Sequence, residues 1–172
     1  MLEYIIFIFL SMIMCWLYGD RHRTWCAVSI ALFAAIMSYY MEVNVSSDLN
    51  RYYYYLDFYR EMSIKEASVF AILRNNPIHH LSLVLFSRLP NNQLYCSAFT
   101  FIDYFLIMKL LENVCDDNKI CKQTYTLGAL FILTNLNFIL VSNVVRIFFV
   151  FALFFYLLYE ETVRKKMCFC VG

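Results

Sequence analysis

Apolar residues in this chain come in blocks rather than in alternation, and the polar residues gather at the joins. Predominantly apolar runs occupy positions 2–18, 25–41, 95–111, 125–142 and 144–159. A helix needs about 20 such residues to cross the hydrocarbon core of a bilayer, within a range of about 17 to 25. The pattern therefore predicts an all-α protein, a polytopic transmembrane helix bundle of about five spans. The first two runs are parted only by the turn Gly19-Asp20-Arg21-His22-Arg23-Thr24 and read as a hairpin. The last two, parted at Asn143, read as a second hairpin. Between them, residues 42–94 form a long first external loop that crosses no membrane.

Orientation follows from the basic residues, since Lys and Arg in short loops mark the cytoplasmic side. Arg21 and Arg23 fill the first turn, Lys119 and Lys122 lie between the third and fourth spans, and Arg164, Lys165 and Lys166 lie in the tail, residues 160–172. All three groups fall on one side if both hairpins open outward. The first run has Glu3 and no Lys or Arg ahead of it, and no small-residue cleavage pattern after it. It reads as a retained helix with its N-terminus outside, not as a cleaved signal peptide.

Composition agrees with this reading. Of 172 residues, 62% are hydrophobic and only 16% charged, against about a quarter charged in soluble domains. With a mean hydropathy of +0.61, this excludes a disordered chain and an ordinary cytosolic enzyme. A net charge of +1 leaves no polybasic face for nucleic acid. Cys15, Cys26 and Cys96 fall in or beside helices, while Cys115, Cys121, Cys168 and Cys170 fall on the cytoplasmic side, where thiols stay reduced. The spacings of those four, Cys-x5-Cys and Cys-x-Cys, differ from the Cys-x2-4-Cys pairs of zinc sites, so they read as loop thiols. The expectation is no metal and no cofactor.

The external loop holds the most distinctive stretch, Ser46-Ser47-Asp48-Leu49-Asn50-Arg51-Tyr52-Tyr53-Tyr54-Tyr55-Leu56-Asp57-Phe58-Tyr59-Arg60. Ser47 or Asp48 can cap a helix, because a side-chain oxygen there accepts a bond from a free amide of the first turn. On such a helix Asp48, Tyr52, Tyr55 and Tyr59 recur at i, i+4, i+7 and i+11 and share a face. Arg51, three residues from Asp48, can pair with it or project beside it. A face of carboxylate, guanidinium and tyrosines suits sugars and the membrane–water interface equally. Tyrosines gather at interfaces in proteins with no activity, and an Asp at a helix start is commonly a cap. Residues 64–73 are amphipathic, and residues 78–89, entered through Asn76-Pro77, are apolar but too short to span; both read as interfacial helices. His79 and His80 point about 100° apart on a helix, so they do not share one ion and read as interfacial histidines.

Ionisable residues at membrane depth are costly and become functional candidates by default. Arg146 lies two residues into the last span, just below the outer face and on the side of Asp48 and Arg51. It can snorkel outward or hold a phosphate through its planar fork. Asp103 lies mid-span and is expected to meet a polar group of a neighbouring helix, Asn135 or Asn137; Lys109 lies near the cytoplasmic end.

A hairpin, an external Ser-Asp-x-x-Arg-Tyr-Tyr segment, interfacial helices with an Asn-Pro entry and an outer hairpin carrying Asn-x-x-Arg resembles the N-terminal half of the EpsG family. These bacterial proteins are related to the Wzy-type polymerases of O-antigen, capsule and exopolysaccharide. The matching positions are Asp48, Arg51 and Tyr52 for the first motif and Arg146 for the second; Ile147 stands where the family commonly has glutamine. The resemblance implies a multi-pass protein of the bacterial cytoplasmic membrane, its partners being the lipid bilayer and a polyprenyl-pyrophosphate-linked oligosaccharide. The implied activity is glycosyl transfer that joins sugar repeat units on the outer face. Arg51 and Arg146 would neutralise the leaving pyrophosphate, Asp48 would take the acceptor hydroxyl's proton, and Tyr52, Tyr55 and Tyr59 would bind substrate. Because the likeness covers only the family's first half, the alternative expectation is a truncated, non-catalytic protein or a partner subunit of polysaccharide assembly proteins. A small transporter would call for broken helices or an internal repeat, and neither is present in the sequence.

Overall fold

The computed structural model describes residues 2–19, 22–41, 48–135 and 145–161, apart from the side chains of Leu2, Val145 and Arg146. Among these residues the chain is all-α. Its helices are α1 (Leu2–Tyr18), α2 (Arg23–Tyr39), α3 (Asp48–Arg60), α4 (Ile64–Ile72), α5 (Pro77–Phe86), α6 (Gln93–Asp117), α7 (Lys122–Asn135) and α8 (Val145–Tyr159). Residues 42–47 of the expected external loop, 136–142 of the expected fourth span and 162–172 of the tail lie outside the described residues. The helix α6 runs past both ends of the predicted span and is long and apolar enough to cross a membrane; α1, α2, α5 and residues 147–159 of α8 are shorter apolar helices.

Long side chains and hydrogen bonds fix how these helices run. On the α2–α6 pair, Thr24 donates to Glu112 at one end (2.6 Å) and Ser97 donates to the Ala35 carbonyl toward the other (2.8 Å), so the two are antiparallel. The buried face of α2 carries Ala27, Ala31, Ala34 and Ala35, whose small side chains let the backbones approach closely. On the other side of α6, Phe149 of α8 meets Phe99 at 5.3 Å near the start of both helices, and Tyr159 donates to Asp117 at 2.7 Å near their ends, so α8 runs parallel to α6. The pairing of α1 with α7 runs from Tyr4, which donates to the Leu133 carbonyl, to Trp16, whose ring lies 5.2 Å from the Lys122 ammonium.

One end of the bundle therefore holds Arg23, Lys109, Glu112, Asp116 and Lys122, and the other holds Ser38, Cys96, Phe149 and the block of α3, α4 and α5. At the first end Arg23 acts as a clasp. Its side chain is only 11% exposed and donates to the Gly19 carbonyl (2.7 Å), the Ile120 carbonyl (2.7 Å) and Asp116 (2.5 Å), with its guanidinium 5.1 Å from the Tyr125 ring. The α6–α7 turn that it grips ends in a Schellman motif: Ile120 N–H bonds to the Cys115 carbonyl and Lys119 N–H to the Asp116 carbonyl, with Lys119 in the left-handed region at φ 54°.

In the opposite block α4 begins with a capping box. The Ser63 hydroxyl accepts from the Glu66 amide, and the Glu66 carboxylate accepts from the Ser63 amide and hydroxyl. Those side-chain and backbone bonds from Ser63 hold the Glu66 carboxyl below its usual range. The helix α5 starts on Pro77, whose missing N–H is no loss at a first helical position.

Candidate functional site

Helix α3 begins at Asp48, where the spacing predicts a helix start; Ser47, the other candidate cap, lies outside the described residues. Arg51 reaches back to Asp48 at 3.7 Å, with the two side chains 71% and 45% exposed. So exposed a pair contributes little to stability, which leaves both groups open to a ligand.

The tyrosines behind them divide. Leu49, Tyr52, Leu56 and Tyr59 form the buried stripe of α3, with Tyr52 only 7% exposed and Tyr59 fully buried, while Tyr55 is half-buried. The stripe faces α5. The Tyr52 ring lies 4.9 Å from His79 and 5.9 Å from Tyr95, and the Tyr55 ring lies 5.1 Å from His80. The Tyr59 hydroxyl is 2.8 Å from His80 Nδ1, and the Tyr95 hydroxyl is 3.4 Å from His79 Nδ1. Burial pushes the Tyr59 phenol above its ordinary value; Tyr55 adds to the rise and Arg74 opposes it. The wide angle between adjacent histidines, which argues against a shared ion, lets each ring meet a different turn of α3. Reading the histidines from the sequence as interfacial misses this pairing, because nothing in the local spacing links residues 79–80 to 52–59.

Other arginines of the block are committed to structure. Arg60 donates to the carbonyls of Ser87 and Leu89 (3.1 Å each), to Asn92 (2.6 Å) and to Asp57 (2.8 Å). Arg88 donates to the carbonyls of Met62 (3.0 Å) and Tyr59 (3.1 Å). Together they pin the α5–α6 turn against the end of α3. Arg51 carries no comparable backbone contacts among the described residues.

Arg146 belongs to the first turn of α8, but its side chain lies outside the described residues. Its backbone position is still informative. Three residues on, Phe149 packs on Phe99, which lies 4.9 Å from Tyr95, which in turn meets Tyr52. The first turn of α8 thus stands at the same end of the bundle as the α3–α5 block. Lys109 stands at the far end, donating to Glu112 (2.8 Å) and Thr24 (3.0 Å). Asp103 does not meet Asn135, whose amide instead donates to the Phe131 carbonyl of its own helix (2.8 Å); Asn137 lies outside the described residues.

Among the described residues no group of three or more His, Cys, Asp or Glu side chains could hold a metal ion. What the α3–α5 end offers is an exposed guanidinium able to hold an anion, a carboxylate beside it and half-buried aromatic surface. No family model, no curated protein and no solved structure matches the chain.

Proposed function

We propose that the chain is a five-span protein of the bacterial cytoplasmic membrane that works in surface polysaccharide assembly, as an EpsG- or Wzy-like polymerase joining sugar repeat units carried on polyprenyl pyrophosphate. The observation that carries the reading is convergence. The Asp48–Arg51 pair and the first turn of α8, which contains Arg146, stand at one end of the bundle although they are far apart in sequence, with Tyr52, Tyr95, Phe99 and Phe149 linking them. Clasped basic residues, Arg23 and Lys109, occupy the other end, which suits a cytoplasmic face. The outward sides of α1, α2, α7 and α8 bear large exposed apolar side chains, among them Phe9, Trp16, Leu32, Phe131 and Phe154. Soluble monomers rarely expose apolar surface so widely, and lipid would cover it.

In the proposed reaction the acceptor sugar hydroxyl attacks the anomeric carbon of the lipid-linked chain, the new glycosidic bond forms, and the bond to pyrophosphate breaks. The lipid pyrophosphate leaves with the bonding electrons, and its negative charge is met by Arg51 and Arg146. Asp48 takes the hydroxyl proton. Tyr55 offers an aromatic edge to the sugar beside Arg51.

The test is polymer length. Arg51→Ala and Arg146→Ala should each abolish elongation in cells whose polymer depends on this chain, with membrane insertion unchanged. Wild-type polymer length in both variants overturns the assignment.

A further inference from the structure

Asp103 stands in the interior of α6, 10 residues after Gln93 (103 − 93) and 14 before Asp117 (117 − 103). It is 1% exposed, both carboxylate oxygens are buried, and neither has a hydrogen-bond partner among the described residues. A buried carboxylate is tolerated when it is paired or accepts several hydrogen bonds; alone, the charged form is far more costly to bury than the neutral acid.

Among the described residues the surroundings supply polarity but no charge. Cys96, Thr100 and Asp103 recur on α6 at i, i+4 and i+7 and share one face. Ser38 of α2 lies 2.8 Å from Cys96 Sγ and accepts from Thr100 at 3.1 Å, and all three are buried. A strip of hydroxyl and thiol groups thus runs along the α2–α6 seam to within one turn of Asp103. The cations on the helices packed against α6 are engaged elsewhere: Arg23 on Asp116 and two carbonyls, and Lys122 over Trp16. Lys109, on α6 itself, is taken by Glu112 and Thr24. His79 and His80 of α5 meet the tyrosines. Arg146 belongs to the turn of α8 before Phe149, which packs on Phe99, so its backbone lies toward the start of α6 and away from Asp103. The remaining titratable groups of α2, α5, α7 and α8 are thiols and phenols.

We propose that Asp103 is a proton-binding site inside the bundle: the folded chain holds one proton on this carboxyl at neutral pH, at the inner end of the Cys96–Ser38–Thr100 strip. The inference rests on burial and on absent partners, and it stands or falls separately from the polymerase reading.

The experiment is infrared spectroscopy of the full chain in lipid nanodiscs at neutral pH, with aspartate labelled by 13C at the side-chain carboxyl. Asp57, Asp116 and Asp117 are exposed and Asp48 is partly so, so Asp103 is the one aspartate shielded from solvent among the described residues. The expected result is an isotope-shifted carbonyl band of a protonated carboxylic acid that disappears in Asp103→Asn, with that variant melting no lower than the wild type. Absence of the band overturns the proposal, since it would mean an ionised Asp103, whether solvated or paired with Arg146. A band that persists in Asp103→Asn overturns it too, as does a markedly lower melting temperature, which would signal the loss of an ionic partner. Should Asp103→Asn fail to fold, the wild-type band alone decides, because the other described aspartates reach solvent.

Discussion

Replacing Arg23 by alanine tests how the bundle is closed at its basic end. The side chain makes three hydrogen bonds and one ring contact, which differ widely in worth. The pair with Asp116 is the least, because that carboxylate is 58% exposed and recovers water when the arginine is lost; exposed pairs contribute about 0–1 kcal/mol. The bonds to the Gly19 and Ile120 carbonyls are part-buried and charge-assisted, and such bonds are worth about 1.5–3 kcal/mol each before partial rehydration of the acceptors. The Tyr125 ring adds about 1 kcal/mol. Arg23→Ala should therefore cost about 3 kcal/mol, a drop in melting temperature of about 6–12 °C for a chain this size. Asp116→Asn should cost under about 1 kcal/mol. Arg23→Lys should fall between them, because a single ammonium cannot reproduce the planar fork that spans both carbonyls. Thermal unfolding in nanodiscs followed by tryptophan emission suits the question, as Trp16 and Trp25 both lie near this end. An Arg23→Ala variant within about 0.5 kcal/mol of wild type, or an Asp116→Asn as damaging as Arg23→Ala, would refute the clasp.

Three further outcomes follow from local geometry. Tyr59→Phe removes the hydroxyl on His80 Nδ1 but keeps the ring against Phe58 and Phe70, so equilibrium unfolding should show a loss of about 1 kcal/mol, whereas Tyr59→Ala should lose about 3–5 kcal/mol. Ser63→Ala should cost about 1 kcal/mol through the lost cap on α4. The box also carries a pH signature: the Glu66 carboxyl is held low in the folded chain, so its contribution is present above the ordinary glutamate value of about 4.3 and is lost as pH falls through the lower folded value. Glu66→Gln should flatten that acid limb of a stability-versus-pH curve, and an unchanged limb would count against it. Lys119→Gly should stabilise by about 0.5–1 kcal/mol, because glycine takes the left-handed φ of 54° without the cost that a Cβ imposes; a loss in melting temperature would contradict this.

Helix positions were legible because long apolar runs have few alternatives, and the helix starts at Asp48 and Pro77 have local chemical causes in a carboxylate and a missing N–H. The length of α6 was not legible. It continues from 111 to 117 through Glu112 and Asp116, which read as loop residues until Thr24, Lys109 and Arg23 are seen beside them. Partners lying 85 to 93 residues away in sequence leave no periodic trace. The same limit governs α3. Its period grouped Tyr52, Tyr55 and Tyr59, but period alone does not say whether a face meets solvent or protein; that is decided by α5 laying His79 and His80 against it.

That packing constrains the proposed site more sharply than the spacing does. A ligand held by Arg51 and extending along α3 meets Tyr55 one turn later, and Tyr55 is half-buried with its ring edge-on to His80. Tyr52 and Tyr59 lie behind it, 7% and 0% exposed, and neither can touch a sugar unless α3 separates from α5. Separation would break the Tyr59–His80 bond and uncover Leu49 and Leu56, both fully buried, and burying a leucine side chain is worth about 1.5–3 kcal/mol. Under the polymerase reading, Tyr55 is therefore the tyrosine of the three able to contact substrate in the closed block, while Tyr52 and Tyr59 act by holding the helix that presents Asp48, Arg51 and Tyr55.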